Sequence, residues 1–169
     1  MAASNPRVYL DVNFITFHDE DLPGTSITDP KTPASFVVTT GGFPHEIIVQ
    51  TRASSAKISR VSLTLNDAKD IRLEKSCNET ANGFEVMAER TLARGPPAAA
   101  AQAGASGVGG VQTEVFDIDP EVAGRDIRYL RLTILSGYGE FVAVHSIDAW
   151  GEESQQRIAV LQSKPEIVM

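Results

Sequence analysis

From Arg7 to Trp150 the chain is written in short runs where apolar and polar side chains alternate, each run closed by Gly, Pro, Asn, Asp or Ser. A period of two is what a strand with one buried face produces, and hardly any stretch sustains the 3.6-residue period of an amphipathic helix. Arg7 to Val12 sets Val8, Leu10 and Val12 against Tyr9 and Asp11, and Phe14 to Phe17 follows as a short extended piece. After a loop rich in turn formers come Ser35 to Thr40 and Glu46 to Thr51, joined through Gly41, Gly42, Phe43 and Pro44. Lys57 to Leu65 alternates with a slip near Ser59 that reads as a bulge. Ile71, Leu73 and Lys75 resume the pattern after a turn at Asn66 to Lys69. Phe84 to Leu92 fits helix or strand alone, because Glu85, Glu89 and Arg90 are good helix formers, and its neighbours favour strand.

Val111 to Ile118 and Ile127 to Ser136 continue the strand grammar, the latter with Leu130, Leu132 and Ile134 on one face. In Glu140 to Trp150 both faces are partly apolar, as expected of a central strand. Eight or nine short strands at this spacing predict an all-β sandwich or jelly roll. With 169 residues there is room for one well-formed core. Residues 1–151 are expected to form that single domain. Inside it, 94–110 is a low-complexity Ala/Gly/Pro insertion expected to be mobile, and 152–169 reads as a flexible tail.

The formal net charge of -7, with no Lys/Arg run longer than two, argues against a nucleic-acid partner. No apolar h-region opens the chain and no long apolar run follows, so neither a signal peptide nor membrane insertion is expected. Cys77 is the only cysteine, which excludes an internal disulfide and multi-cysteine zinc sites. His18, His45 and His145 are too scattered for a local zinc signature. His145, in an apolar strand, reads as a hydrogen-bonded structural residue. An enzyme reading would have to use Cys77 or His145, and no surrounding motif supports either. No catalytic residue is assigned.

One loop has residues suited to a hard cation. Calcium takes about six to eight oxygen ligands. Asp29 supplies a carboxylate, and Ser26, Thr32 and Ser35 supply hydroxyl or carbonyl oxygens. An Asx-turn organised by Asp29 accounts for the same residues equally well.

Three blocks together resemble a known family: Thr39-Thr40-Gly41-Gly42-Phe43-Pro44-His45-Glu46-Ile47-Ile48, then Tyr129-Leu130-Arg131-Leu132, and Ser136 through Phe141-Val142-Ala143-Val144-His145-Ser146 to Gly151. They resemble the intraflagellar transport protein twenty-five family, the jelly-roll subunit of intraflagellar transport complex B, also catalogued as heat-shock-protein-beta-eleven-like. No α-crystallin-type pattern accompanies that second label. The resemblance runs in order from about Val8 to Gly151 and omits the insertion and the tail.

The resemblance implies a galactose-binding-domain-like, discoidin-related jelly roll and no enzymatic activity. It implies a heterodimer with a Rab-like small GTPase of the intraflagellar transport protein twenty-seven family, further complex B subunits as partners, cargo transport in the cilium or flagellum, and a location in the cilium or flagellum and the cytoplasm. It also implies a structural calcium loop, with Asp29 matching the acidic ligand and Ser35 standing where a threonine is expected. Thr32 lies beside a one-residue insertion, and Trp150 stands where the family can carry a glutamate. The alternative function is a glycan-binding jelly-roll module, for which Trp150 is the only tryptophan available. Val142 and Val144, and the aromatics Tyr138 and Phe141, are candidates for a partner-binding surface, with ordinary core the better reading for at least half of them.

Overall fold

A computed structural model describes residues 6–17, 27–29, 36–95 and 110–154. They form ten strands: β1 (Arg7–Val8), β2 (Leu10–Ile15), β3 (Val37–Val38), β4 (His45–Thr51), β5 (Ala56–Asn66), β6 (Asp70–Ser76), β7 (Glu85–Thr91), β8 (Val111–Asp117), β9 (Tyr129–Ile134) and β10 (Ala143–Glu153). All pairings are antiparallel and sort into two five-stranded sheets. The first has the order β1-β10-β5-β8, with β3 also on β10, and the second has β2-β4-β9-β6-β7. The expected all-β sandwich is what forms.

The alternating positions face inward. Val61, Leu63, Leu65, Phe116, Ile147 and Ala149 from the first sheet meet Ile47, Val49, Ile71, Leu73, Leu130, Leu132 and Ile134 from the second. Each such Val, Leu, Ile or Phe side chain contributes roughly 1.5–3 kcal/mol by leaving water. Phe84 to Leu92 resolves to strand, because β7 pairs with β6 from Asp70↔Thr91 to Lys75↔Glu85.

Two features depart from a simple reading of alternation. The run from Arg7 to Val12 is not one strand, since Val8 pairs with Ala149 in the first sheet and Leu10 with Thr51 in the second. Tyr9 is the crossing point, and both Val8 and Leu10 are buried. The second departure explains why β10 looked apolar on both faces. Register passes from Val144↔Leu65 to Ser146↔Thr64, so His145 is an extra residue that inverts the parity. Val142 and Val144 point inward before the bulge, and Ile147 and Ala149 after it. Val142 and Val144, both 0% exposed, are therefore core and not partner surface. The slip expected near Ser59 is present, since Arg60 and Ile58 face Trp150 and Gly151 and leave Ser59 over.

Beyond the bulge at Ser59, β10 continues through Glu152 and Glu153, which were expected to open the tail. Gly151 allows this. A Cβ there would stand 1.8 Å from the Lys57 carbonyl oxygen, so only glycine lets the two strands come together. The insertion begins and ends on a bridge between Gly95 and Gly110, and its interior lies outside the described residues. Beneath its base, buried Gln112 joins three segments. Its Nε2 donates to the carbonyls of Ala68 and Ala93, both at 2.8 Å, and its Oε1 accepts from the Ala68 amide at 3.0 Å.

Candidate functional site

Of the four residues proposed for a cation, only Asp29 is among the described residues. Ile27, 1% exposed, anchors a short 3₁₀ turn with Thr28, and Asp29 follows it on the surface. Ser26, Thr32 and Ser35 lie outside the described residues. Among the described residues no group of three or more His, Cys, Asp or Glu gathers in a way that could hold a metal ion.

His45 is buried between two rings, edge-on to Phe17 and Phe43. Its Nε2 donates to the Thr40 carbonyl at 2.9 Å, and its Nδ1 lies 3.4 Å from the Thr16 hydroxyl. Both ring nitrogens are occupied, so the residue closes the end of the sandwich. His145 sits at its bulge on the outer face of the first sheet, hydrogen-bonded through Nε2 to Asn66 and tilted against Phe36. Burial pushes its pKa below the usual imidazole value. Cys77 is exposed, and its thiol donates to the Arg125 carbonyl at 3.5 Å.

The outer faces of the two sheets differ sharply. That of the second sheet carries a lattice of alternating charge. Arg131 donates from Nε to Glu74 at 2.8 Å and also through Nη2, while its Nη1 lies 3.8 Å from Glu46. Arg72 lies 3.6 Å from Glu74 and donates to Glu89 at 2.8 Å. Glu74 is only 2% exposed although it points outward, because these guanidinium groups cover it and Arg131 also stacks over Phe84. A desolvated carboxylate is tolerated when it is paired this completely.

The outer face of the first sheet has an uncharged patch around Thr64. Thr64 of β5 lies between Ser146 of β10 and Thr113 of β8, Asn66 lies between Ala143 and Val111, and Ser62 lies between Asp148 and Val115. The ion pairs Arg7–Asp148 and Arg60–Asp117 lie on one side of Thr64, beginning level with Ser62. Exposed Val111, Val115 and Phe36 flank the uncharged patch. At the loop end beyond β9, Tyr138 and Phe141 are exposed, as considered for a partner surface. Tyr138 is fixed by its hydroxyl, which donates to the Leu92 carbonyl at 2.7 Å.

No protein-family profile matches the chain. Among curated proteins, it is 29% identical over 143 residues to intraflagellar transport protein 25 homolog of Mus musculus, covering 83% of this chain and 86% of that protein. The Homo sapiens protein of the same name matches at 29% over the same share of this chain and 85% of its own length. Intraflagellar transport protein 25 of Chlamydomonas reinhardtii matches at 28% over 79% of this chain and 60% of that protein. These are distant homologues aligned over most of the chain, in agreement with the resemblance carried by the three sequence blocks.

Among solved structures, the family 32 CBM from C. perfringens NanJ in complex with galactose superposes with TM-score 0.61 at 14% identity, covering 85% of this chain and 97% of that one. The XRCC1 N-terminal domain superposes with TM-score 0.63 at 11% identity, covering 86% and 99%. Identities this low establish the fold alone, a galactose-binding-domain-like sandwich.

Proposed function

We propose that this chain is a non-catalytic subunit of intraflagellar transport complex B, located in the cilium or flagellum and the cytoplasm, that pairs with a Rab-like small GTPase and supports cargo transport in the cilium or flagellum. The observation that carries the reading is the similarity over four fifths of the chain to proteins named intraflagellar transport protein 25. The outer face of the first sheet is where we assign the GTPase. Strands β5 and β10 have 11 residues each. At about 3.3 Å per residue and about 4.8 Å between four strands, that face offers up to about 700 Å². A standard interface buries about 600–1,000 Å² per partner, with charge depleted at its centre. Thr64, Thr113 and Ser146 fit that requirement better than the charge lattice on the other face. Co-expression with the GTPase followed by size-exclusion chromatography gives one co-eluting peak on this reading, and Thr64→Arg separates the pair. Two peaks from the unsubstituted proteins refute the pairing.

The calcium reading rests on Asp29 and the oxygen-bearing residue types at Ser26, Thr32 and Ser35. Calorimetric titration of the full chain with calcium, repeated on Asp29→Ala, gives heat only in the unsubstituted chain if the loop binds the ion. Equal traces return Asp29 to its Asx-turn role. A glycan-binding role is favoured by one observation, the exposed aromatics Tyr138 and Phe141 at a loop end. A blank glycan array removes it.

A further inference from the structure

The chain has more acids than bases, yet among the described residues one arginine has no carboxylate beside it. Among the described residues, Arg7, Arg52, Arg60, Arg72, Arg90, Arg94, Arg125 and Arg131 each stand within 4.0 Å of a carboxylate. Arg128 does not, and its guanidinium makes no hydrogen bond to any described residue. It is also half-buried, so its charge is partly withdrawn from water without a counter-charge. A guanidinium in that condition is stabilised by any oxyanion that reaches it.

Arg128 lines a cleft of about 400 Å³ at the end of the sandwich where β4 passes into β5 and β9 begins. That end is opposite the Tyr138 and Phe141 loop. Tyr129, 6% exposed, lines the cleft and is held by its hydroxyl on the Glu79 carbonyl at 3.0 Å. The turn from Arg52 to Ser54 forms another part of the lining, with its shape set by the Thr51 hydroxyl donating to the Ala53 carbonyl at 2.9 Å. Arg52 is directed away by its bonds to Asp11, which leaves Arg128 as the cation available to a ligand. Gln50 also lines the space, and with its Oε1 accepting from Asn13 its amide hydrogens remain to donate. The Ser54 hydroxyl is a further donor, and the Glu79 side chain is an acceptor.

We infer that this cleft binds a small carboxylate ligand, with Arg128 gripping the carboxylate and Tyr129 supporting its carbon frame. A planar carboxylate matches the guanidinium fork in two parallel bonds. It carries one negative charge, whereas a phosphate monoester carries up to two, and both the -7 net charge and neighbouring Glu79 penalise the second. Donors next to the carboxylate on the ligand, such as an amide N–H, would be met by Glu79. The inference does not depend on the pairing with a GTPase, since the cleft lies off the face assigned to it.

The test uses the ¹⁵N-labelled full chain titrated separately with N-acetylglycine and with inorganic phosphate, following backbone amides and arginine Nε–Hε signals. The expected result is saturable shifts by N-acetylglycine centred on Arg128 Nε–Hε and the amides of residues 52–54. The affinity should fall at least tenfold in Arg128→Gln and by an intermediate factor in Arg128→Lys, which keeps the charge without the fork. Tm should be the same in all three proteins. No saturable shift, equal shifts in Arg128→Gln, or tighter binding of phosphate overturns the inference. A loss of several degrees in Tm for Arg128→Gln also overturns it, by giving Arg128 a structural role.

Discussion

Replacing Gln112 with methionine keeps the length of the side chain and removes its amide. In the unsubstituted protein that amide makes three hydrogen bonds, two with the amide and carbonyl of Ala68 and one with the carbonyl of Ala93. Ala68 is 0% exposed, so neither of its backbone groups can turn to water, whereas Ala93 is exposed and can. Two stranded groups at about 1–3 kcal/mol each give a loss of about 2–6 kcal/mol. Burial of the methionine thioether offsets part of this, which places the expected loss at about 2–4 kcal/mol. For a chain of this size each kcal/mol moves Tm by about 2–4 °C, so the melt should fall by about 4–16 °C. Urea unfolding should show a lower midpoint with an unchanged slope, because the surface exposed on unfolding hardly changes. A loss under about 0.5 kcal/mol would refute the claim that this one side chain satisfies the polar groups where β5 turns into β6.

Gly151→Ala forces a methyl group against the Lys57 carbonyl and should destabilise by about 1–3 kcal/mol in the same denaturation assay; an unchanged midpoint would mean that β5 and β10 separate freely there. Val144→Ala and Ile147→Ala, on either side of His145, should each cost about 2–4 kcal/mol as buried residues, whereas Phe141→Ser, exposed in the loop before β10, should stay within about 0.5 kcal/mol; a loss at only one of the two buried positions would contradict the parity inversion at His145. Burial lowers the pKa of His145, so below the usual value of 6.5 the unfolded chain takes up a proton that the fold resists. Its contribution is complete above that value and is lost as pH falls toward the lowered folded pKa. His145→Gln should therefore flatten the stability profile on the acid side of neutrality, and an identical slope would reject burial as the cause.

What the sequence discloses depends on whether a feature is local. Alternation gave the strands and the inward faces of β5, β6 and β9, because a strand's pattern depends only on its own residues and one common core. The bulge at Ser59 could be read because the polar and apolar positions visibly slip there. The one at His145 could not, since Val142, Val144, Ile147 and Ala149 on both sides of it make the strand look two-faced. The sheet change at Tyr9 was hidden for the opposite reason: Val8 and Leu10 keep a perfect alternation while serving different sheets.

The site was less legible than the fold. Asp29 stands out as an acid among turn formers, and Tyr138 and Phe141 as aromatics beside glycines. Arg128 has no such signal. Its isolation from carboxylates exists only after segments near Gln50, Glu79 and Arg128 have been brought together, and spacing along the chain carries no trace of that. The uncharged patch of the first sheet is likewise assembled from β5, β8 and β10, which are far apart in sequence.

The central claim is that the chain works as half of a pair. Light scattering of the protein co-expressed with the Rab-like GTPase, taken across the eluting peak, measures this directly. The account predicts one species with the summed mass of the two chains, and that species resolves into single chains when Thr64→Arg is present. Single-chain masses for the unsubstituted proteins at micromolar concentration would contradict it.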